Sequence, residues 1–293
     1  MSVFSDFEPR ALTFMPANAS ALAHAADAAY PCQVRDASGD RVETHDEWLS
    51  RVSGFAEIWG FERIEFFDAQ GCQAYMMGRD DAIVMSFRGT EMKIEDIMTD
   101  LRIRKIGGPL GGRIHRGFLL SLLAIWDDYE TIQGTKYRGM EHVLRDMKGD
   151  RAPAIWLTGH SLGAALATLA AAFLVEEGQP VQGLYSFGCP RVGDSAFVTA
   201  LNSRCPRNYR LVNNNDVVTR VPPRSFGYDH TGEFWYLSEG GALSRDPNSW
   251  YLFLDMALGR LCDLGEVGTD GIKDHAMNNG PDGYIPALKK ALG

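Results

Sequence analysis

The spacing of apolar positions changes character along the chain. Residues 17–30 follow Pro16, are rich in alanine and read as a helix. In residues 47–59, Trp48, Val52, Phe55 and Trp59 recur at near-helical spacing and predict a second one. The period then shortens. Ile64-Glu65-Phe66-Phe67, Gln73-Ala74-Tyr75-Met76-Met77 and Ala82-Ile83-Val84-Met85-Ser86-Phe87 are short strand-like runs, with turn residues at 68–71 and 78–81 between them. This pattern predicts a meander of neighbouring antiparallel strands.

Further on, the order becomes strand, helix, strand. Ala154-Ile155-Trp156-Leu157 is a compact strand just after Pro153, and residues 164–177 form a helix that stops at Gly178. Residues 181–187 and 209–212 read as further strands. Alternation of this kind implies a mostly parallel sheet with helices on both faces, so the fold class is α/β. No repeat, low-complexity tract or linker divides residues 1–293, and one domain is expected. Residues 106–112, Ile-Gly-Gly-Pro-Leu-Gly-Gly, read as a loop or hinge. They are no phosphate loop, because no Gly-Lys-Ser/Thr follows.

Charge and cysteines narrow the function. The 29 basic and 38 acidic residues leave a net charge of −9, with no basic block. Binding to nucleic acid is disfavoured, because phosphate neutralisation needs clustered cations. Docking on anionic membranes by charge is disfavoured too. Five cysteines at irregular spacing make neither a disulfide framework nor a zinc site, and the seven histidines form no ligand cluster. No metal or organic cofactor is expected. The first ten residues contain Asp6 and Glu8 and lack a basic segment followed by an apolar run, so a reduced, cytoplasmic protein is expected. The richest apolar stretch, Trp250-Tyr251-Leu252-Phe253-Leu254 with Met256, Leu258 and Leu261, is interrupted by Asp255 and Arg260. It reads as a buried or interfacial helix, not a transmembrane one.

The candidate chemistry centres on Gly159-His160-Ser161-Leu162-Gly163, between the strand at 155–157 and the alanine-rich helix. A serine hydroxyl needs a base to become a nucleophile. A strand-turn-helix elbow lifts it clear of the sheet, and the flanking glycines avoid collisions in the tight turn. That is the arrangement of the α/β-hydrolases. The helix N-terminus also favours a developing oxyanion, with the Leu162 amide as one expected donor. A second must come from an earlier loop, and Thr90 in Phe87-Arg88-Gly89-Thr90 suits that role. The acid is expected to follow the serine and the base to follow the acid. Asp216, after the strand at 209–212, fits the acid. Asp194 and Asp229 compete, although a turn or N-cap suits Asp194 better. For the base, His230 and His275 both lie downstream, and pattern alone leaves them open.

Several blocks occur in one order: FRGT at 87–90, HRGF at 115–118, TGHSLGAALA at 158–167, SFGCPRVGD at 186–194 and NNDVVTRVPP at 214–223. FGYDH at 226–230, the strand Phe234-Trp235-Tyr236 and Asp274-His275 follow. Together they resemble the class 3 lipases, which include filamentous-fungal triacylglycerol lipases. The resemblance implies an α/β-hydrolase fold and a structural role for His230. It implies Ser161, Asp216 and His275 as the triad, with Thr90 and Leu162 as oxyanion donors.

The resemblance also places a helical lid at residues 91–113. There Ile94, Ile97, Met98 and Leu101 fall at i, i+3, i+4 and i+7, with Lys93, Glu95, Asp96 and Asp100 off the stripe. A fixed helix packed on the core gives the same stripe. The expected partner is a lipid or ester substrate at a lipid–water interface. The leading activity is that of a triacylglycerol lipase or carboxylesterase. Phospholipase A1 stands second, and an esterase for aromatic acids on cell-wall polysaccharide third. A non-catalytic signalling or scaffold protein on the same fold is the alternative of another class. The acyl pocket is expected to involve the lid, Phe118 and Leu119; the apolar stretch at 250–261 either lines it or packs on the core, and packing is the preferred reading.

Overall fold

The computed structural model describes residues 2–36, 39–89, 104–130, 136–248, 273–278 and 282–293. Its centre is an eight-stranded sheet. In chain order the strands are β1 (Arg63–Ala69), β2 (Cys72–Gly78), β3 (Ala82–Phe87), β4 (Ala154–His160), β5 (Gly183–Phe187), β6 (Asn208–Asn213), β7 (Glu233–Leu237) and β8 (Leu243–Arg245). Their spatial order is the same as their chain order. Strands β1 to β3 form the antiparallel meander expected from the sequence. From β3 to β7 every pairing is parallel, and β8 closes the edge antiparallel.

Alternation along each strand sorts side chains to two cores. On β4, Ile155 and Leu157 face one layer with helices α3 (Arg116–Trp126), α4 (Met140–Lys148), α5 (Leu162–Glu176) and α6 (Ser195–Arg204). Ala154 and Trp156 face the other, with α1 (Pro16–Ala28), α2 (His45–Ile58) and α7 (Tyr284–Leu292). Both faces of β4 are therefore covered, which is why its seven residues are all buried. This defines an α/β-hydrolase fold.

Helix α1 lies close to the sheet because its buried side chains are mostly alanine. The sheet's hydroxyls meet its carbonyls. Tyr75 Oη and Ser86 Oγ both donate to Ala25, at 2.6 and 2.9 Å, and Thr158 Oγ1 donates to Leu22 at 3.0 Å. Helix α2 starts with a capping box in which Thr44 and Glu47 satisfy each other's amides.

One segment differs from its sequence reading. Residues 106–112 are not an open loop. Strand Lys105–Gly107 pairs antiparallel with Arg113–His115 around a 3-10 turn, and the Leu110 amide donates to Glu176 Oε1 at 2.7 Å. The glycines allow this tight reversal; Gly111 has a φ of 79°. Phe118 and Leu119 both pack into the core of α3. The stripe Ile94, Ile97, Met98 and Leu101 and the apolar stretch at 250–261 lie outside the described residues.

Candidate active site

The site gathers at the C-terminal ends of β3 to β6, where ligands bind in open α/β sheets. Strand β4 ends at His160 and α5 begins at Leu162, so Ser161 alone makes the turn. Its φ of 56° and ψ of −127° are strained for a residue with a side chain. The flanking glycines explain why the turn closes. A Cβ at Gly159 would strike the backbone of Gly163, and one at Gly163 would strike the carbonyl of Phe87 at the end of β3. The Ser161 amide donates to the Phe187 carbonyl at 3.0 Å, which ties the elbow to β5. Leu162 stands first in α5, so its amide has no acceptor inside the helix. The next strand end is equally close. A Cβ at Gly89 would lie 2.7 Å from the His160 carbonyl. Thr90, the residue after it, lies outside the described residues.

Asp216 follows β6 in a turn in which its amide donates to the Asn213 carbonyl at 3.0 Å. Its carboxylate is buried and fully used. Oδ1 accepts from the Val218 amide at 2.9 Å, and Oδ2 accepts from Tyr284 Oη at 2.6 Å. His275 Nδ1 lies 3.0 and 2.9 Å from the two oxygens. A carboxylate accepting from Nδ1 fixes the orientation of the ring and directs Nε2 away from Asp216. A Cβ at Gly188 would lie 2.7 Å from Asp216 Oδ2 and 3.0 Å from His275 Cε1. Glycine at 188, with a φ of 59°, therefore makes room for the pair.

The structure thus brings Ser161, Leu162, Asp216 and His275 to one end of the sheet. It places the rivals elsewhere. Asp194 caps α6, accepting from the Phe197 amide at 3.0 Å. Asp229 pairs with Arg224 at 3.1 Å. His230 is half-buried near Arg210, Arg191 and Arg224. Burial first, and those guanidinium groups second, push its pKa well below the usual histidine value.

Sequence reasoning missed the residues that brace the site. Asn213 Nδ2 donates to the carbonyls of Asp274 and Asp282, at 2.9 and 2.6 Å. The Asn213 amide donates to Tyr284 Oη at 3.1 Å, and the Asn215 amide donates to Asp274 Oδ2 at 3.1 Å. The Asp216 turn and the His275 segment are therefore laced together on both sides of His275. Burial pushes the Asp274 carboxyl up to about 7, and the nearby Asp216 and Asp282 carboxylates add to that rise. Burial, and then Asp216, drive the Tyr284 phenol well above its usual pKa, so it stays a donor. The run of three asparagines before Asp216 was the one visible signal of this lacing.

A strained serine elbow thus stands at the end of a central parallel strand of an α/β-hydrolase fold, and later loops supply a carboxylate–imidazole pair at the same end of the sheet. Residues 84–226 match the family model described as Lipase (class 3). The matched segment is just under half of the chain, and over it the chain is similar to the class 3 lipases.

A secreted mono- and diacylglycerol lipase 1 of Fusarium solani is 40% identical over 116 residues, covering 39% of this chain and 34% of that one. A chloroplastic phospholipase A(1) of Arabidopsis thaliana is 34% identical over 170 residues, covering 50% of this chain and 34% of that one. Each match thus spans about a third of the relative's length. The crystal structure of a lipase from Rhizopus microsporus var. chinensis superposes with a TM-score of 0.58 at 23% identity, covering 80% of each chain. At that identity the likeness is one of fold.

These relatives correct the cytoplasmic placement expected from the sequence. The Fusarium enzyme is a secreted lipase, as are relatives from Penicillium cyclopium and Malassezia restricta. Unpaired cysteines had suggested a reducing compartment. In the structure Cys72, Cys189 and Cys205 are free and buried, and burial raises each thiol to about 12. Those three shielded thiols resist oxidation in any compartment, whereas the free Cys32 is exposed.

Proposed function

We propose that this protein is a serine carboxylic-ester hydrolase acting on acylglycerols through Ser161, His275 and Asp216. The observation that carries the reading is the buried Asp216–His275 pair beside the Ser161 elbow, with His275 Nδ1 committed to the carboxylate. In the proposed reaction His275 Nε2 takes the Ser161 proton as Oγ attacks the ester carbonyl. The tetrahedral oxyanion is held by the Leu162 amide at the N-terminus of α5 and by Thr90. Asp216 keeps the imidazole in the required tautomer and stabilises its protonated form. The protonated ring then gives its proton to the leaving alcohol, and water repeats the sequence on the acyl-enzyme.

The mono- and diacylglycerol lipase relatives favour a neutral acylglycerol as substrate. A second reading, phospholipase A1, is favoured by the similarity to the Arabidopsis enzyme. The test is turnover of a diacylglycerol, a triacylglycerol and a phosphatidylcholine, with Ser161→Ala as the blank. Labelling of Ser161 by a fluorophosphonate probe accompanies it. Fastest release from the acylglycerols is expected. Fastest release from phosphatidylcholine would transfer the assignment to the second reading. No Ser161-dependent labelling or turnover would sink both.

A further inference from the structure

His160, inside the nucleophile motif, is a side chain that the proposed reaction does not use. It is buried, and its ring makes two directed contacts. Nε2 lies 2.5 Å from the carbonyl oxygen of His275, and Nδ1 lies 2.8 Å from Tyr30 Oη. A carbonyl oxygen only accepts, so Nε2 must carry the hydrogen. Burial, with His275 nearby, holds the His160 pKa well below the usual value. In the neutral ring Nδ1 is then the acceptor, and Tyr30 is the donor. The carbonyl sets the direction of the first bond, and the neutrality of the ring sets that of the second.

Tyr30 is itself held in place. It follows α1, its amide donates to Asp27 at 2.9 Å, and its carbonyl accepts from Arg51 Nη2 at 2.7 Å. Arg51 in turn pairs with the buried Glu43 at 2.9 Å. The Tyr30 hydroxyl also fills the space beside Gly89, where any Cβ would collide with it. The imidazoles of His160 and His275 lie with centroids 4.4 Å apart. One phenol therefore touches the strand end before Thr90 and, through one ring, the backbone of the base.

We propose that Tyr30 and His160 are positioning residues that lock the His275 main chain to the nucleophile elbow, with Tyr30 selecting the His160 tautomer that donates to His275. This rests on the reading of Ser161 and His275 as nucleophile and base. Without the phenol, the ring can turn to its other tautomer. An Nε2 lone pair would then face the His275 carbonyl and push the base away. The effect falls on the chemical step, not on substrate binding.

The experiment compares wild type, Tyr30→Phe, His160→Leu, His160→Gln and Tyr30→Phe/His160→Leu on p-nitrophenyl butyrate, with ring nitrogen NMR of His160. Tyr30→Phe is expected to lower kcat about tenfold and His160→Leu about a hundredfold, with KM within about twofold. The double variant should match His160→Leu, because Tyr30 acts through the ring. His160→Gln keeps an amide donor and should recover about tenfold over His160→Leu. The acid limb of kcat/KM should move in Tyr30→Phe, as the loosened His275 loses its fit to Asp216.

NMR should show the Nε2–H tautomer in wild type and a mixture in Tyr30→Phe. Losses that multiply in the double variant, an unchanged kcat in Tyr30→Phe, or an Nδ1–H tautomer in wild type would each overturn the lock. The tautomer is read without turnover. An Nε2–H ring in a protein lacking Ser161-dependent hydrolysis would therefore overturn the proposed function and leave the lock standing.

Discussion

The hydroxyl of Tyr284, on the last helix, donates to Asp216 Oδ2 at 2.6 Å, the same oxygen that His275 Nδ1 approaches at 2.9 Å. The phenol thus shares the carboxylate oxygen that also faces the imidazole. Tyr284→Phe should leave the carboxylate charge more fully on His275. The acid limb of kcat/KM is expected to move to higher pH, because the protonated base is better stabilised. The loss of a buried bond to a charged group should also lower stability by about 1.5–3 kcal/mol, measured by urea unfolding. An unmoved acid limb would show that Tyr284 only packs.

Asp216→Asn tests the acid directly. An amide in place of the carboxylate supports the wrong imidazole tautomer, and kcat is expected to fall about 10⁴-fold while the fold persists. Asp194→Asn and Asp229→Asn, at the rival positions, should keep kcat within about threefold. A large loss at either rival would reopen the choice of acid.

Gly163 is where α5 meets the end of β3. Gly163→Ala pushes a methyl group into the Phe87 carbonyl, and backbone cannot rotate away as a side chain can. A destabilisation of about 1–3 kcal/mol or more is expected, together with loss of hydrolysis as the elbow shifts. Circular dichroism melts and turnover on one preparation check both. Wild-type values for the two would show that the elbow has slack.

Asp274 gives stability a pH dependence. Its carboxyl ionises at about 7 in the fold, against 3.8 for an unperturbed aspartate side chain. Between those values the folded chain holds a proton that the unfolded chain has lost, so this group's contribution falls as pH rises. Asp274→Asn removes the penalty. The difference in Tm between the variant and wild type should grow in the variant's favour from pH 4 to pH 7 and level off above. A difference that stays flat over that range would refute the assignment.

The sequence made the elbow legible because a serine between two glycines, after a strand and before a helix, is a local pattern. The order of strands was legible for the same reason, since apolar periodicity is local. The role of Asp194 as a helix cap was read from its turn context and is what the structure shows. Tyr30, Asn213 and Tyr284 were not legible. Each acts through contacts made far along the chain, such as Tyr30 with His160 and Tyr284 with Asp216. A phenol before a turn and a phenol opening a helix look like ordinary packing residues until the fold brings them together. The hairpin at 105–115 was misread because glycine content signals a turn or a loose loop equally well. The Leu110 amide bond to Glu176 on α5 is a tertiary contact that no local pattern reveals.

The order of strands across the sheet also sets an order in time. The meander β1 to β3 is joined by short turns and can form while little chain has been made. The parallel pairing of β3 with β4 has to wait until the whole segment between Phe87 and Ala154 is closed, and closure over long separations is slow. Ser161 takes its strained shape only after that step. Asp216 and His275 meet it later still, and Tyr284 comes from the last helix. A growing chain therefore carries Ser161 before Asp216, and Asp216 before His275, so the proposed triad can assemble only after the centre of the sheet has closed.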